Sequence, residues 1–303
     1  MVDITHKSST LRTAVAGARV HCSSAATIKA VEEGRVPKGD VLNTAKVAAL
    51  FAAKRTADMI PDCHPLPIEY TDVRFHLEAQ QINIEVEIRT IYKTGVEVEA
   101  MHAASVAALT IYDMLKPIDP QITIERIALQ EKNGGKGQFH KKQNEIFHAA
   151  VMVCSDSISA GIKEDRSGKA IVKKLEDGGV VVDDYQVIPD EMEVIRERVL
   201  HFVESKRHLV IITGGTGLSR RDVTPEALDP LIERRIPGIE EAIRAYGQQR
   251  TPYSMLSRSM AGLIKDTLVL ALPGSTKGAT ESMDALFPPV LHLFKMMRGG
   301  DHH

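Results

Sequence analysis

LVIITGGTGLSRRDVTP, residues 209–225, is the stretch that decides the fold of the second half of the chain. It opens with apolar, largely β-branched residues, as in a strand buried on both faces. The glycines in residues 214–217 permit positive φ and let backbone N–H groups approach an anion closely. Thr224 and Pro225 are suited to the N-cap and first turn of a helix, whose positive dipole end then lies nearby. The stretch predicts a strand, a phosphate-binding turn and a helix.

The polar end of the same stretch points to a nucleotide. A glycine turn between strand and helix is common, and alone it would favour a purely structural role. Arg220, Arg221 and Asp222 make that interpretation less favoured. A carboxylate beside a phosphate loop is well placed to hold a divalent cation that the phosphates also ligate.

The segments on either side extend the pattern into a sheet. Apolar runs with little alternation predict strands at residues 149–154, 180–182, 209–212 and 267–272. Helical patterns lie between or after them, at residues 168–175, at 194–205 and from residue 279. This order predicts a doubly wound α/β domain with a mostly parallel sheet, in which ligands bind at the carboxyl ends of the strands. A second glycine turn, residues 273–278, faces the same edge.

The first half of the chain has a different pattern. Helices are predicted at residues 24–33, 40–59 and 100–116, and strands at 73–77, 82–88 and 122–129. Two of these strands alternate apolar with polar residues and form a hairpin. The order indicates an α+β domain, ferredoxin-like, with helices on an antiparallel sheet. A glycine-rich, basic segment follows, so we place the domain boundary at residue 143, between domains 1–143 and 144–303.

Composition excludes several classes of protein. The 303 residues are 43% hydrophobic and 26% charged, and no apolar run approaches the length of a bilayer span. The net charge of −2 gives no basic field for nucleic acid. Three cysteines lie far apart without metal-ligand spacing, a poor disulfide framework. We expect a cytoplasmic protein that binds neither nucleic acid nor membrane.

Further polar groups follow the predicted strands of the second half. They include Ser155 after the first strand, Asp165 before the next helix and Asp190 after the second strand. Asp190 and Asp222 are candidates to share a magnesium ion with nucleotide phosphates, since Mg²⁺ prefers hard oxygen ligands. The alternative role for Asp190 is a helix N-cap.

Together these motifs resemble the molybdopterin-binding (MoaB/MogA) family over roughly residues 145–300. The motifs are Ile188-Pro189-Asp190-Glu191, Thr213-Gly214-Gly215-Thr216-Gly217, Arg220-Arg221-Asp222-Val223-Thr224-Pro225 and Leu272-Pro273-Gly274. The resemblance implies that molybdopterin is adenylylated with Mg²⁺ and ATP as cofactors. It assigns the metal to Asp190 and Asp222, the phosphate to Gly214, Gly215, Thr216 and Gly217, and the pterin side to Ser257 and Arg258. From their places beside the predicted strand ends and the second glycine turn, Ser155, Asp165 and Gly274 are candidates for further cofactor contacts.

Polar groups of the first half recur beside turns and alanine-rich helices. Each has an ordinary explanation: His64 precedes Pro65 in a turn, and Asp113 and Lys116 can form a helix-surface ion pair. Together they offer acid and base groups, with lysines for a triphosphate. The candidates are Lys38, Cys63, His64, Glu97, Glu99, Asp113, Lys116 and Lys136.

The first half resembles the cyclic pyranopterin monophosphate synthase (MoaC) family over residues 1–140. The motifs include Lys38-Gly39-Asp40-Val41, Ala53-Lys54-Arg55-Thr56, Cys63-His64-Pro65-Leu66, Thr94-Gly95-Val96-Glu97-Val98-Glu99-Ala100 and the segment 104–114. The resemblance implies a phosphorus-oxygen lyase that converts a cyclic dihydro-GTP intermediate to the pyranopterin monophosphate and pyrophosphate. Asp113 and Lys116 would be the acid/base pair, and Lys38, Cys63, His64, Glu97, Glu99 and Lys136 would complete the pocket.

Three hypotheses remain at this point. The leading one is a bifunctional enzyme of molybdenum cofactor synthesis, acting on pterin and purine nucleotide small molecules. The second keeps the synthase active and makes the second half a non-catalytic pterin- or nucleotide-binding assembly module. The third is a phosphate-binding regulator without chemistry. Because the synthase family shares sites across a dimer interface, the resemblance also implies a homo-oligomer, hexameric or built on trimers.

Overall fold

The computed structural model describes residues 1–135 and 145–299, which belong to two compact units, Met1–Gln138 and Phe139–His303. The boundary predicted at residue 143 lies outside the described residues and stays a prediction. Each unit has its own sheet.

The first unit is built on a four-stranded antiparallel sheet. Its strands are β1 (Thr10–His21), β2 (Tyr70–Leu77), β3 (Gln81–Tyr92) and β4 (Thr123–Asn133), in the order β2-β3-β1-β4. Its helices are α1 (Ala25–Glu32), α2 (Val41–Lys54), α3 (Thr56–Met59) and α4 (Glu97–Leu115). The helices fall between β1 and β2 and between β3 and β4, which is the β-α-β-β-α-β succession of a ferredoxin-like fold. The predicted α+β class is confirmed.

Alanine determines how closely α4 packs. The side chains of α4 that face the sheet and α2 are mostly methyl groups, so helix and sheet approach closely around a single core. On β1, Ala14, Ala16 and Val20 point to the same core and are fully buried. The close packing fixes both ends of α4 relative to the sheet, and candidate site residues lie at each end.

The second unit is built on a six-stranded mixed sheet. Its strands are β5 (His148–Cys154), β6 (Val181–Ile188), β7 (Leu209–Thr213), β8 (Arg234–Arg235), β9 (Met260–Ile264) and β10 (Thr267–Leu272). The order is β6-β5-β7-β10-β9-β8; β6, β5, β7 and β10 run parallel, and β9 is antiparallel to its neighbours. The predicted mostly parallel α/β fold is confirmed.

Helices cover both faces of this sheet. They are α5 (Asp156–Ser159), α6 (Ser167–Asp177), α7 (Met192–Glu204), α8 (Thr224–Leu228), α9 (Pro237–Gln248), α10 (Thr276–Leu286) and α11 (His292–Met297). Along β7, Leu209 and Ile211 pack with α6, α9 and α10, whereas Val210 and Ile212 pack with α7 and α8. The sheet is therefore doubly wound, and its strand ends are left to carry polar loops.

Across residues 1–135 and 145–299, no helix has both the length and the apolar character that a membrane span requires.

Candidate functional site

Three predicted residues of the first unit meet at the carboxyl end of α4. Asp113 lies in the last turn of the helix, and Lys116 is its C-cap. Lys116 Nζ lies 2.8 Å from Asp113 Oδ1, and Lys38 Nζ lies 2.7 Å from Asp113 Oδ2. Lys38 also donates to the backbone carbonyl of Asp113 at 2.8 Å. A residue far away in sequence is thus brought to the helix end, and we call these three residues the lysine cluster.

The lysine cluster carries a net positive charge. Hydrogen bonds from Lys116 and Lys38 lower the pKa of Asp113 to about 2. The hydrogen bond to Asp113 in turn raises the pKa of Lys116. All three side chains are partly exposed to solvent. One carboxylate therefore holds two ammonium groups at the surface, which is suited to binding an anion.

A second group, which we call the glutamate cluster, lies at the amino end of α4. Cys63 Sγ donates to Glu99 Oε1 at 3.1 Å, and Lys132 Nζ lies 3.5 Å from Glu97 Oε1. Glu99 is only 2% exposed, and its Oε2 atom has no hydrogen-bond partner among the described residues. Burial raises the pKa of Glu99, and burial together with Glu99 raises the pKa of Cys63 to about 12. The thiol is therefore a protonated donor at neutral pH.

In the described part of the chain, the His64 ring contacts neither cluster, although the His64 backbone N–H donates to the neighbouring Cys63 thiol. The Nε2 atom of His64 lies 2.8 Å from the carbonyl oxygen of Val2. Lys136 lies outside the described residues. The roles expected for both residues stay predictions.

The two clusters are separated within one chain. Because a helix rises about 1.5 Å per residue, Glu99 and Asp113 lie about 20 Å apart along the axis of α4. A single copy of the chain therefore presents two groups of polar side chains at opposite ends of one helix.

Arg12 is a candidate that the sequence analysis missed. It lies on β1 and donates from Nε to the Tyr92 carbonyl at 3.2 Å and from Nη2 to the Lys93 carbonyl at 3.3 Å. Burial lowers its pKa, and the nearby charge of Glu97 opposes that shift. Gly135 lies so close that a Cβ there would overlap the guanidinium. Arg12 thereby adds a positive charge to the glutamate cluster.

In the second unit, the glycine loop follows β7 as predicted. Gly214 has φ 102° and Gly215 has φ 62°, values that favour glycine. Thr224 at the start of α8 donates from Oγ1 to the Gly214 carbonyl and from its backbone N–H to the Gly215 carbonyl, both at 3.0 Å. A Cβ on Gly274 would lie 3.0 Å from Gly214 Cα, so the second glycine turn packs against the first. Glycine is required here for close packing of three backbone segments.

The end of the glycine loop is braced by an arginine. Arg258 donates from Nε to the Gly217 carbonyl and from Nη2 to the Asp222 carbonyl, both at 2.7 Å. Its backbone N–H donates to the Thr216 carbonyl at 3.2 Å. The neighbouring Ser257 hydroxyl lies 2.8 Å from that of Ser259. Arg258 therefore contacts the backbone of the loop.

The two predicted metal ligands are close enough to influence each other. Burial raises the pKa of Asp190, and the charges of Asp156 and Asp222 add to that shift. Asp190 Oδ1 is buried without a hydrogen-bond partner among the described residues. Asp222 Oδ2 accepts from the Ser219 N–H at 2.8 Å. An unsatisfied carboxylate oxygen beside a second carboxylate and a glycine loop fits a divalent cation.

Protein side chains alone do not complete a metal site there. The described part of the chain has no group of three or more His, Cys, Asp and Glu side chains placed to hold a metal ion. Oxygen atoms of a ligand or of water would have to supply the remaining contacts, as is usual for Mg²⁺ at nucleotide sites.

Asp165 and Ser155 have contacts of their own. Asp165 is buried and accepts from the N–H groups of Gly168 and Lys169 at 2.9 and 3.0 Å, and from the hydroxyls of Ser167 and Tyr185. Burial favours a higher pKa for Asp165, but these donors outweigh it and lower the pKa. Ser155 Oγ lies 3.2 Å from Ser157 Oγ. Their cofactor-binding roles stay predictions.

Comparison with known families divides the chain in the same two halves. Residues 1–135 match the MoaC family. Residues 150–292 match the family described as "Probable molybdopterin binding domain".

Three similar proteins extend these matches. The chain is 38% identical to a "Molybdenum cofactor biosynthesis bifunctional protein" of Chlorobaculum tepidum, over 100% of this chain and 96% of that protein. It is 37% identical to a protein of the same description from Synechococcus elongatus, over 100% and 98%. A "Cyclic pyranopterin monophosphate synthase" of Thermomicrobium roseum is 49% identical over 49% of this chain and 91% of its own length.

Proposed function

Because the chain belongs to the family of molybdenum cofactor biosynthesis bifunctional proteins, we propose a chemical step for each unit. The first unit is a cyclic pyranopterin monophosphate synthase domain, and the second is a molybdopterin-binding domain of the MoaB/MogA type. We propose that the first converts a cyclic dihydro-GTP intermediate to the pyranopterin monophosphate and pyrophosphate. The second binds molybdopterin and transfers the adenylyl group of Mg-ATP to it, with release of pyrophosphate. The three free cysteines agree with a cytoplasmic location.

The lysine cluster is the observation that supports the first step. Lys38 and Lys116 place two ammonium groups beside one ionised carboxylate. They are suited to neutralise the charge that develops on a leaving pyrophosphate. The two lysines lower the pKa of Asp113 to about 2, so Asp113 is ionised at neutral pH and holds both ammonium groups in place. In this proposal Asp113 and Lys116 are the groups that exchange protons with the substrate.

Pyrophosphate release from the cyclic intermediate tests this proposal. Asp113→Asn and Lys116→Ala are each expected to lower the rate at least about 100-fold, the usual scale for losing an acid/base group. Lys29→Ala is a matched control, because Lys29 is also an exposed helical lysine paired with an acid, Glu33 at 3.8 Å. A parent protein that releases no pyrophosphate, or an unchanged rate in Lys116→Ala, would contradict the proposal.

The separation of the clusters supports a shared site. One substrate cannot contact both ends of α4 in one copy, because they are about 20 Å apart. We propose a homo-oligomer, hexameric or built on trimers, in which the lysine cluster of one copy meets the glutamate cluster of another. His64 and Lys136 complete the same pocket in this proposal.

Mixing two inactive variants tests the shared site. Asp113→Asn alters the lysine cluster, and Glu99→Gln alters the glutamate cluster. When the variants are refolded or co-expressed together, some interfaces combine two intact clusters, so about a quarter of parental activity is expected to return for random pairing. Two variants within one cluster, Asp113→Asn and Lys38→Ala, are the control and should not restore activity. No recovery in the first mixture would contradict a shared site.

The unsatisfied Asp190 oxygen beside the glycine loop is the observation that supports the step proposed for the second unit. In this proposal the loop N–H groups contact phosphate. Asp190 and Asp222 would hold Mg²⁺, whose positive charge would offset the negative charge of the phosphates. Arg258 braces the loop, Ser257 faces the pterin, and Ser155, Asp165 and Gly274 shape the nucleotide side.

Formation of adenylylated pterin from ATP and molybdopterin tests this second step. Turnover in the parent, with at least a 100-fold loss in Asp222→Asn, is the expected result. Tight pterin binding without any product would replace this proposal with the non-catalytic assembly module. Product formation unaffected by Asp222→Asn would contradict the assigned metal ligands.

A further inference from the structure

The carboxylates of Asp156 and Asp190 each accept a hydrogen bond from the backbone N–H of the other residue. The Asp156 N–H donates to Asp190 Oδ2 at 3.2 Å, and the Asp190 N–H donates to Asp156 Oδ1 at 3.1 Å. Asp156 follows β5 and Asp190 follows β6, which are neighbouring parallel strands. The two reciprocal hydrogen bonds therefore tie together two loops at the carboxyl edge of the sheet.

Arg221 ties a third loop to the same pair. Its guanidinium contacts Asp156 Oδ2 through Nε at 3.1 Å and through Nη2 at 2.5 Å. Arg221 belongs to the loop after β7, so Asp156 makes hydrogen bonds to both of the other loops. The neighbouring Arg220 is exposed, and no hydrogen bond or ion pair is found for it among the described residues.

This arrangement decides which way Asp190 faces. Its Oδ2 atom is used by the Asp156 N–H, while Oδ1 stays without a hydrogen-bond partner in the described structure. A Cβ on Gly215 would lie 2.9 Å from Oδ1, so this oxygen faces the glycine loop. With its backbone and one oxygen held, Asp190 has little freedom to rotate.

The charges around Asp156 and Asp190 also favour a cation beside Asp190. Asp156, Asp190 and Asp222 bring three carboxylates to one edge, and Arg221 is bound to only one of them. The contact with Arg221 lowers the pKa of Asp156 and offsets its charge. Asp190 and Asp222 are left as the carboxylates available to a cation.

We propose that Asp156 is a positioning residue that aims Asp190 Oδ1 at the cation of a bound nucleotide and holds the phosphate loop through Arg221. The proposal rests on the proposed function of the second unit for its ligand. The hydrogen-bonded pair itself is a property of the free protein, so it is tested separately.

Amide hydrogen exchange of the free protein tests the pair. Asp156→Ala removes the acceptor of the Asp190 N–H, and exchange at residue 190 is expected to quicken at least about tenfold. Asp156→Asn keeps an Oδ1 acceptor for that N–H but places an amide NH₂ against the guanidinium. It should preserve the protection at residue 190 while releasing Arg221. Unchanged protection in Asp156→Ala would overturn the proposal.

ATP binding at increasing Mg²⁺ concentration tests whether Asp156 orients Asp190 toward the cation. In Asp156→Ala, the Mg²⁺ concentration for half-maximal binding is expected to rise about tenfold, the scale found when outer partners of metal ligands are lost. Asp156→Asn should stay within about threefold of the parent, since it keeps the Asp190 acceptor. Arg220→Ala is the control outside the pair: it removes a charge of the opposite sign from the loop after β7 without altering Asp156 or Asp190, so it should weaken ATP binding without moving the Mg²⁺ midpoint.

The outcomes distinguish a failure of the positioning role of Asp156 from a failure of the proposed nucleotide binding. If the parent binds no ATP at any Mg²⁺ concentration, the nucleotide function fails, whereas the exchange result still reports on the pair. If the parent binds ATP but the Mg²⁺ midpoint is unchanged in Asp156→Ala, or shifts equally in Asp156→Asn and Arg220→Ala, Asp156 does not position Asp190.

Discussion

Gly215 lies where one added methyl group would meet two other parts of the second site. Its φ is 62°, and a Cβ would overlap Thr224 Oγ1 and lie 2.9 Å from Asp190 Oδ1. We expect Gly215→Ala to destabilise the second unit by about 2–3 kcal/mol through backbone strain and overlap, and to abolish ATP binding. Denaturant unfolding and calorimetry measure the two effects.

Gly161→Ala separates strain from overlap in that prediction. Gly161 has φ 72°, but no atom lies within 4 Å of a Cβ placed there. It should cost about 1 kcal/mol, the strain of a left-handed alanine alone, and leave ATP affinity unchanged. Equal losses in both variants would show that the contacts of Gly215 do not matter.

Glu99 should make the stability of the first unit depend on pH. Burial raises its pKa in the folded state, so the folded protein retains a proton that the unfolded chain loses. The stabilisation is complete below the unfolded pKa and is lost as the pH rises through the folded pKa. Glu99→Gln cannot titrate, so its stability relative to the parent should increase as pH rises.

Urea unfolding of the parent and of Glu99→Gln, from about pH 4 to about pH 8, measures this difference. Glu78→Gln is the control, because Glu78 is exposed on the same unit. A constant difference between parent and Glu99→Gln across this range would mean that folding does not raise the pKa of Glu99.

At the scale of elements, the sequence predicted best where local chemistry marks the ends. Ser24 and Asp40 accept from backbone N–H groups at the starts of α1 and α2, and the predicted helices began at those residues. The second helix, predicted to run to residue 59, is divided at Arg55 into α2 and α3. Capping is local and readable from sequence, whereas this break is not marked by proline or glycine.

Three strands, β1, β8 and β9, escaped prediction because they are very short, their side chains are small or their partners are distant. The inward residues of β1 are largely alanines such as Ala14 and Ala16, which give a weak alternating signal although the strand is central in its sheet. Arg12 was missed with it. β9 pairs antiparallel with β10 at the end of a parallel sheet, and no local pattern specifies that direction.

Sequence spacing also predicted the candidate sites only in part. Motif spacing placed the glycine loop, Asp190 and Asp222 at one sheet edge because parallel strands bring their carboxyl ends together. In the first unit, spacing gave the candidates but not their division between the two ends of α4. Contacts such as that of Lys38 with Asp113 depend on tertiary packing, which residue spacing does not contain.

At the scale of the whole molecule, the two units have separate hydrophobic cores. The core of the first unit consists of residues between Ala14 and Ile122. The two core clusters of the second unit consist of residues between Phe147 and Phe294. Each site is built on elements of its own unit.

Independence of the two activities is therefore the prediction at this scale. Asp113→Asn should lower pyrophosphate release at least about 100-fold while leaving ATP affinity of the same preparation within about twofold. Asp222→Asn should weaken ATP binding while leaving the rate of pyrophosphate release within about twofold. In the double variant, each of the two measurements should change as much as it does in the corresponding single variant. Pyrophosphate release and ATP affinity are measured on the same preparation, and thermal unfolding verifies that each variant is folded. A change of more than about fivefold in the activity of the unmutated unit, beyond the additivity expected for distant sites, would show that the units are coupled.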